Sequence, residues 1–107
     1  MLHIKSLEEG LEIFKALGSN IRVEIIKILR DNNGMNMNDL AAKLNITNGA
    51  LTSHIKKLED CDLISITSES AGHGNQKICS VHLDKILIEF DSIEDESKVT
   101  YPLERVF

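Results

Sequence analysis

Asn48, Gly49, Thr52, Ser53 and Lys56 form a short polar series broken by Leu51 and Ile55. At about 100° per residue, with Leu51 at zero, Ile55 and Leu58 fall within roughly 40°, whereas Gly49, Thr52, Ser53 and Lys56 lie roughly 100 to 200° away. A helix here has one dry face and one small polar face. The polar set suits the edges of nucleobases. Thr and Ser hydroxyls donate or accept, Lys reaches guanine or phosphate, and Gly49 lets a backbone come close. Asn48 can pair with adenine from the first turn, near the positive end of the helix. Any amphipathic helix turns polar residues outward, so this face alone does not decide the matter.

Lys57 and Arg22 could hold phosphate, which adds affinity and salt dependence but little sequence information; the plainer alternative is solvated surface charge. His54, on the edge of the apolar face, either touches phosphate or packs against a neighbouring helix. His73 and Lys77 are the cationic candidates of a later hairpin. Cys61 and Cys79 stand apart with neither finger spacing nor a disulfide framework, and both read as reduced. His82 and Asp84 offer a nitrogen and an oxygen without convergent partners, so metal sensing has little support. No phosphate-cradling Gly loop, nucleophile triad or H-E-x-x-H occurs. Gly72-His73-Gly74 is turn chemistry. No enzyme, catalytic residue, metal or cofactor is expected.

The 107 residues, 42% hydrophobic and 27% charged, suit one soluble domain. Apolar runs are far shorter than the roughly 20 residues that cross a bilayer, and MLHIKSLEEG has no secretory h-region. A cytoplasmic protein with no membrane partner is the expectation. The net charge of -5 is unevenly spread: residues 1–82 hold nine Lys/Arg against ten Asp/Glu, and residues 83–107 hold three against seven. From Asn38 to Leu58 the one acid, Asp39, faces Lys43, Lys56 and Lys57, so that stretch can still meet phosphate.

The elements that must position these residues can be read in order. Ser6 to Glu9 has the form of a capping box, and Leu7, Leu11, Phe14 and Leu17 recur at helical spacing, predicting a helix over 7–17 that Gly18 stops. Ser19 or Asn20 caps a central helix with Ile21, Ile25, Ile28 and Leu29 in one stripe, widened by Val23 and Ile26 and ended by Asp31-Asn32-Asn33-Gly34. An extended piece, 35–37, precedes a brief helix over 39–44 with Asn38 as its cap. Thr47 then caps the helix over 48–60. Two helices joined by so short a link form a helix-turn-helix. Residues 63–68 and 76–82 alternate as strands around a turn over 69–75, which makes a wing. Ile86, Ile88 and Phe90 favour one more strand, although Leu83, Ile86, Leu87 and Phe90 also fit a short helix. Beyond lie an acidic linker, DSIEDES, and an apolar ending, VTYPLERVF.

This order resembles the ArsR-like winged helix-turn-helix regulators. The match is carried by ALGSNIRVEIIKIL (16–29), DLAAKLNITNGALTSHIKKLEDCDLI (39–64) and QKICSVHL (76–83). It departs in three places. Asp62 stands where the family usually has Gly in a left-handed turn. A long C-terminal dimerisation helix is not evident in 84–107. The wing carries no Arg, only His73 and Lys77.

The expected fold class is mainly α with a small β-hairpin wing: a winged helix-turn-helix domain over 1–83 and an acidic extension over 84–107 that adds a strand or docks at an interface. The resemblance implies a homodimer that places residues 48–58 in the major groove of double-stranded DNA at an inverted-repeat operator and represses transcription. The expected contacts are Asn48, Gly49, Thr52, Ser53, His54, Lys56, Lys57, His73, Lys77 and Arg22. Nothing in the sequence names a small-molecule effector. The competing class is a winged-helix module that meets another protein instead of DNA, with the acidic tail in its interface.

Overall fold

A computed structural model describes residues 1–71 and 74–91. The elements run β1 (Leu2–Ile4), α1 (Leu11–Leu17), α2 (Asn20–Asp31), β2 (Met35–Asn36), α3 (Met37–Leu44), α4 (Asn48–Asp60), β3 (Ser65–Ala71), β4 (Gly74–Ser80) and β5 (Ile86–Ile88).

The caps explain most boundaries. Ser19, of the two candidates Ser19 and Asn20, accepts from Arg22 N at the start of α2, and Thr47 accepts from Ala50 N at the start of α4 as the sequence predicts. Helix α2 ends at Asp31, after which Asn33 and Gly34 take φ values of 52° and 100°. Asn45 (φ 55°) turns the chain between α3 and α4, and Asp62 (φ 58°) adopts the left-handed conformation after α4 despite having a side chain.

Four expectations need correction. Helix α1 begins at Leu11 rather than at position 7. Ser6 Oγ does accept from Glu9 N, but the Glu9 carboxylate reaches back to Lys5 N, so the box closes a turn before the helix. Leu7 and Leu11 are consequently exposed, and α1 docks through Ile13, Ala16 and Leu17. Helix α3 begins at Met37 with Asn36 as cap, accepting from Asp39 N at 2.7 Å, two residues before the expected Asn38. Val23 is exposed and does not widen the α2 stripe. The wing ladder runs from Ser65↔Ser80 to Ala71↔Gly74, so it reaches further into the predicted turn and leaves Leu63, Ile64, Val81 and His82 outside the strands.

The β2, β3 and β4 strands form one sheet in the order β2-β4-β3, with Met35 opposite Cys79. The favoured extra strand is β5, and it pairs in parallel with β1, an element the sequence did not announce. The core gathers Ala16 from α1, Ile25 and Leu29 from α2, Leu40 from α3, and Leu51 and Leu58 from α4, with Cys79 from the sheet. Burying one such aliphatic side chain stabilises by about 1.5–3 kcal/mol, which fixes α4 by its dry face. Its other face is left to solvent.

Candidate nucleic-acid interface

On α4 the dry stripe predicted from the sequence is the buried one: Leu51, Ile55 and Leu58 are covered. Asn48, Gly49, Thr52, Ser53, Lys56 and Lys57 are exposed together along the opposite side and one flank, and His54 is half-buried at the edge. Thr52 Oγ1 donates to Asn48 O at 2.8 Å, which spends its proton within the helix and leaves its oxygen to accept. Lys56 forms only a loose i,i+4 pair with Asp60, 3.9 Å apart and well solvated, so its ammonium remains available.

Gly49 occupies the first turn of α4, where a Cβ would meet nothing within 4 Å. The fold therefore does not require glycine here, although glycine disfavours helix. An exposed backbone without a side chain is a place where another molecule can come close.

Two features of this surface escaped the sequence. Asn48 Nδ2 donates to Asn38 Oδ1 at 3.2 Å, so α3 holds the first residue of α4. Asn38 carries no capping duty, which explains its freedom to do so; the signal was present only as a second Asn two places after the true cap. Arg22 lies under α4 rather than free in solvent. Its Nε donates to Ala16 O at 2.7 Å, one terminal nitrogen donates to Lys15 O at 3.2 Å, and the other donates to His54 Nδ1 at 3.0 Å. Burial, then the charges of Arg22 and Lys57, hold the His54 imidazole below its ordinary pKa of 6.5.

In the wing, Lys77 is exposed on β4 opposite Ser68. His73 lies outside the described residues. The cysteines are apart in role as well as in sequence. Cys61 donates to Glu12 O, whereas Cys79 is fully buried beside Met37 Sδ, and burial pushes its thiol up to about 11. Among the described residues, no group of three or more His, Cys, Asp or Glu could hold a metal ion. No described helix is long and apolar enough to cross a membrane.

An exposed polar helix face, a preceding helix across a tight turn and a two-stranded wing together form one recognisable unit. A family profile described as winged helix-turn-helix DNA-binding matches residues 19–65. Residues 19–65 thus match a winged helix-turn-helix domain. The chain is 38% identical over 63 residues to an uncharacterized protein of Methanocaldococcus jannaschii, covering 59% of this chain and 67% of the relative. Among solved structures, this winged helix is similar to an ArsR family transcriptional regulator, with a TM-score of 0.56 and 22% identity over 74% of this chain and 77% of that one. It is similar also to the AntR antimony-specific transcriptional repressor, with a TM-score of 0.54 and 21% identity over 74% and 69% of the two chains. These likenesses bear on fold, which is the ArsR-type winged helix expected from the sequence.

Proposed function

We propose that this winged helix is a cytoplasmic transcriptional regulator, acting as a repressor, that lays α4 in the major groove of operator DNA. The observation that carries this reading is the polar face of Asn48, Gly49, Thr52, Ser53 and Lys56, exposed as one surface on a helix whose opposite face is anchored in the core. Ser53 and Lys56 read base edges, Asn48 adds a paired amide contact, and Gly49 lets the helix backbone approach. Lys57 and Lys77 neutralise phosphate. In this proposal Arg22 acts through His54, and His73 retains the wing contact proposed from the sequence.

The regulator works as a homodimer. A recognition helix of 13 residues is only about 20 Å long, and two copies spaced near one DNA turn read an inverted repeat with useful specificity. Supporting self-association, Leu7, Leu87, Ile88 and Phe90 are large exposed apolar side chains of the β1–β5 end, where Leu7 N donates to Phe90 O, and Leu11 is exposed at the start of α1.

Fluorescence anisotropy tests this reading. The protein is titrated into DNA from upstream of its own gene and into a scrambled duplex, across a salt series, as wild type and as Ser53→Ala/Lys56→Ala. Selective binding with a steep salt slope, lost in the folded double variant, supports the regulator. A folded dimer with no selectivity at low salt overturns it in favour of a protein-binding winged helix.

A further inference from the structure

We propose that Arg22 is a positioning residue for DNA binding, acting by holding His54 as a neutral imidazole with its proton on Nε2. The step rests on the regulator reading for its ligand, a backbone phosphate oxygen, but the positioning itself is a property of the free protein.

The chemistry is one-directional. A guanidinium has five N–H donors and no acceptor, so the nitrogen it meets must offer a lone pair. Arg22 meets His54 Nδ1 at 3.0 Å. The ring's only proton therefore sits on Nε2. Arg22 cannot swing away to accommodate another tautomer, because two further N–H groups grip Ala16 O and Lys15 O near the C-terminus of α1. That end of a helix is partially negative and welcomes the cation. The groups facing the ring are thus Arg22 from α2 and Lys57 from α4, with α1 contributing carbonyls through Arg22. Both charges are positive and oppose a second proton.

The Nε2 side is free. Among the described residues Nε2 bonds to nothing, and no buried side-chain nitrogen or oxygen is left unpaired, so Nε2 faces solvent. His54 and Lys57 are three residues apart on α4, on the flank between its dry and polar faces. A helix seated in the major groove turns its flanks to the phosphate walls. There an oriented N–H beside an ammonium makes a phosphate contact whose geometry is set before DNA arrives. Lysine at position 22 could not do the same, because its point charge lacks the fork that reaches three acceptors.

Long-range nitrogen-15 NMR on the free protein reads the tautomer directly, and anisotropy on Arg22→Lys, Arg22→Gln, His54→Gln and Arg22→Gln/His54→Gln reads the coupling. Circular dichroism melts confirm that each variant is folded. The expected spectrum has an acceptor-type Nδ1 and a donor-type Nε2 in wild type, with mixed tautomers in Arg22→Lys. Each single Gln variant weakens binding about tenfold, as for one lost charge-assisted bond. The double variant falls to the same level, because residues acting in series do not add. Additive losses of about a hundredfold would make Arg22 an independent phosphate contact and overturn the proposal, as would an Nδ1–H tautomer in the wild type. A correct tautomer in a protein without DNA affinity would sink the regulator reading while leaving the Arg22–His54 relation standing.

Discussion

Asn38 and Asn48 are joined across the turn between α3 and α4 by an Nδ2-to-Oδ1 hydrogen bond of 3.2 Å. Both side chains are exposed, so the bond contributes little to stability. Its effect is to fix the rotamer of the first residue of α4. The neighbouring Asn36 does the opposite work: it caps α3 and bonds to Gln76 of the wing, and it touches no residue of α4 in the described hydrogen bonds.

Exchanging these two asparagines for alanine separates the roles. Asn36→Ala removes a cap and lowers stability by about 1 kcal/mol. Asn38→Ala leaves the melting curve nearly unchanged, within about 0.5 kcal/mol, but weakens operator binding several-fold by freeing Asn48. Thermal melts and anisotropy on both variants check this; equal effects on binding would remove the special role of Asn38.

Gly49→Ala has effects of opposite sign. The added methyl meets nothing within 4 Å, so the fold gains roughly 0.5 kcal/mol from better helix propensity. Operator binding falls, because the methyl occupies the space through which the backbone approaches DNA. A variant both more stable and equally tight would show that glycine serves no contact.

Gly10→Ala is predicted to destabilise the fold without touching the interface. A Cβ there would lie 2.5 Å from Phe14 Cζ and 2.8 Å from Ile4 Cγ2, and Ile4 is only 1% exposed. Relief requires moving a packed side chain, at about 1–3 kcal/mol. Chemical denaturation measures the loss, and the unchanged operator affinity of the folded fraction measures its locality.

His54 makes stability depend on pH. Its folded pKa lies below 6.5, held there by burial and then by Arg22 and Lys57, so the unfolded chain binds a proton that the folded chain refuses. The contribution of the neutral ring is fully present above 6.5 and is lost as pH falls towards the folded pKa. Melting temperatures of wild type and His54→Gln across pH 5 to 8 should differ most at the upper end and converge on acidification. Divergence towards low pH would reverse the assignment.

What the sequence made legible follows physical range. The caps Ser19 and Thr47 act over three residues, and the stripe Leu51, Ile55, Leu58 acts over two turns, so α2 and α4 could be read locally. Strand β1 could not. Three residues, Leu2–Ile4, carry no periodic signal and form a strand only through partners at 86–88. Asp62 is legible as a departure from glycine but not as a left-handed residue, because the turn imposes φ from outside. The contact between Arg22 and His54 spans 32 positions and joins a residue that read as phosphate contact or surface charge to one that read as phosphate contact or helix packing. Polar pairing at that distance leaves no trace in one sequence, whereas apolar periodicity does.

The parallel pairing of β1 with β5 also imposes a timetable on synthesis. Residues 2–4 leave the ribosome before their partners at 86–88 exist, and at typical elongation speeds the wait is on the order of ten seconds. Throughout it Ile4, later almost wholly covered, has no strand beside it. Ile86 of that clasp also packs against the core shared by the helices and the wing. Every residue of the helix-turn-helix and wing, up to Ser80, is thus made before β5, and the pairing of β1 with β5 is the last strand pairing of the described fold that synthesis permits.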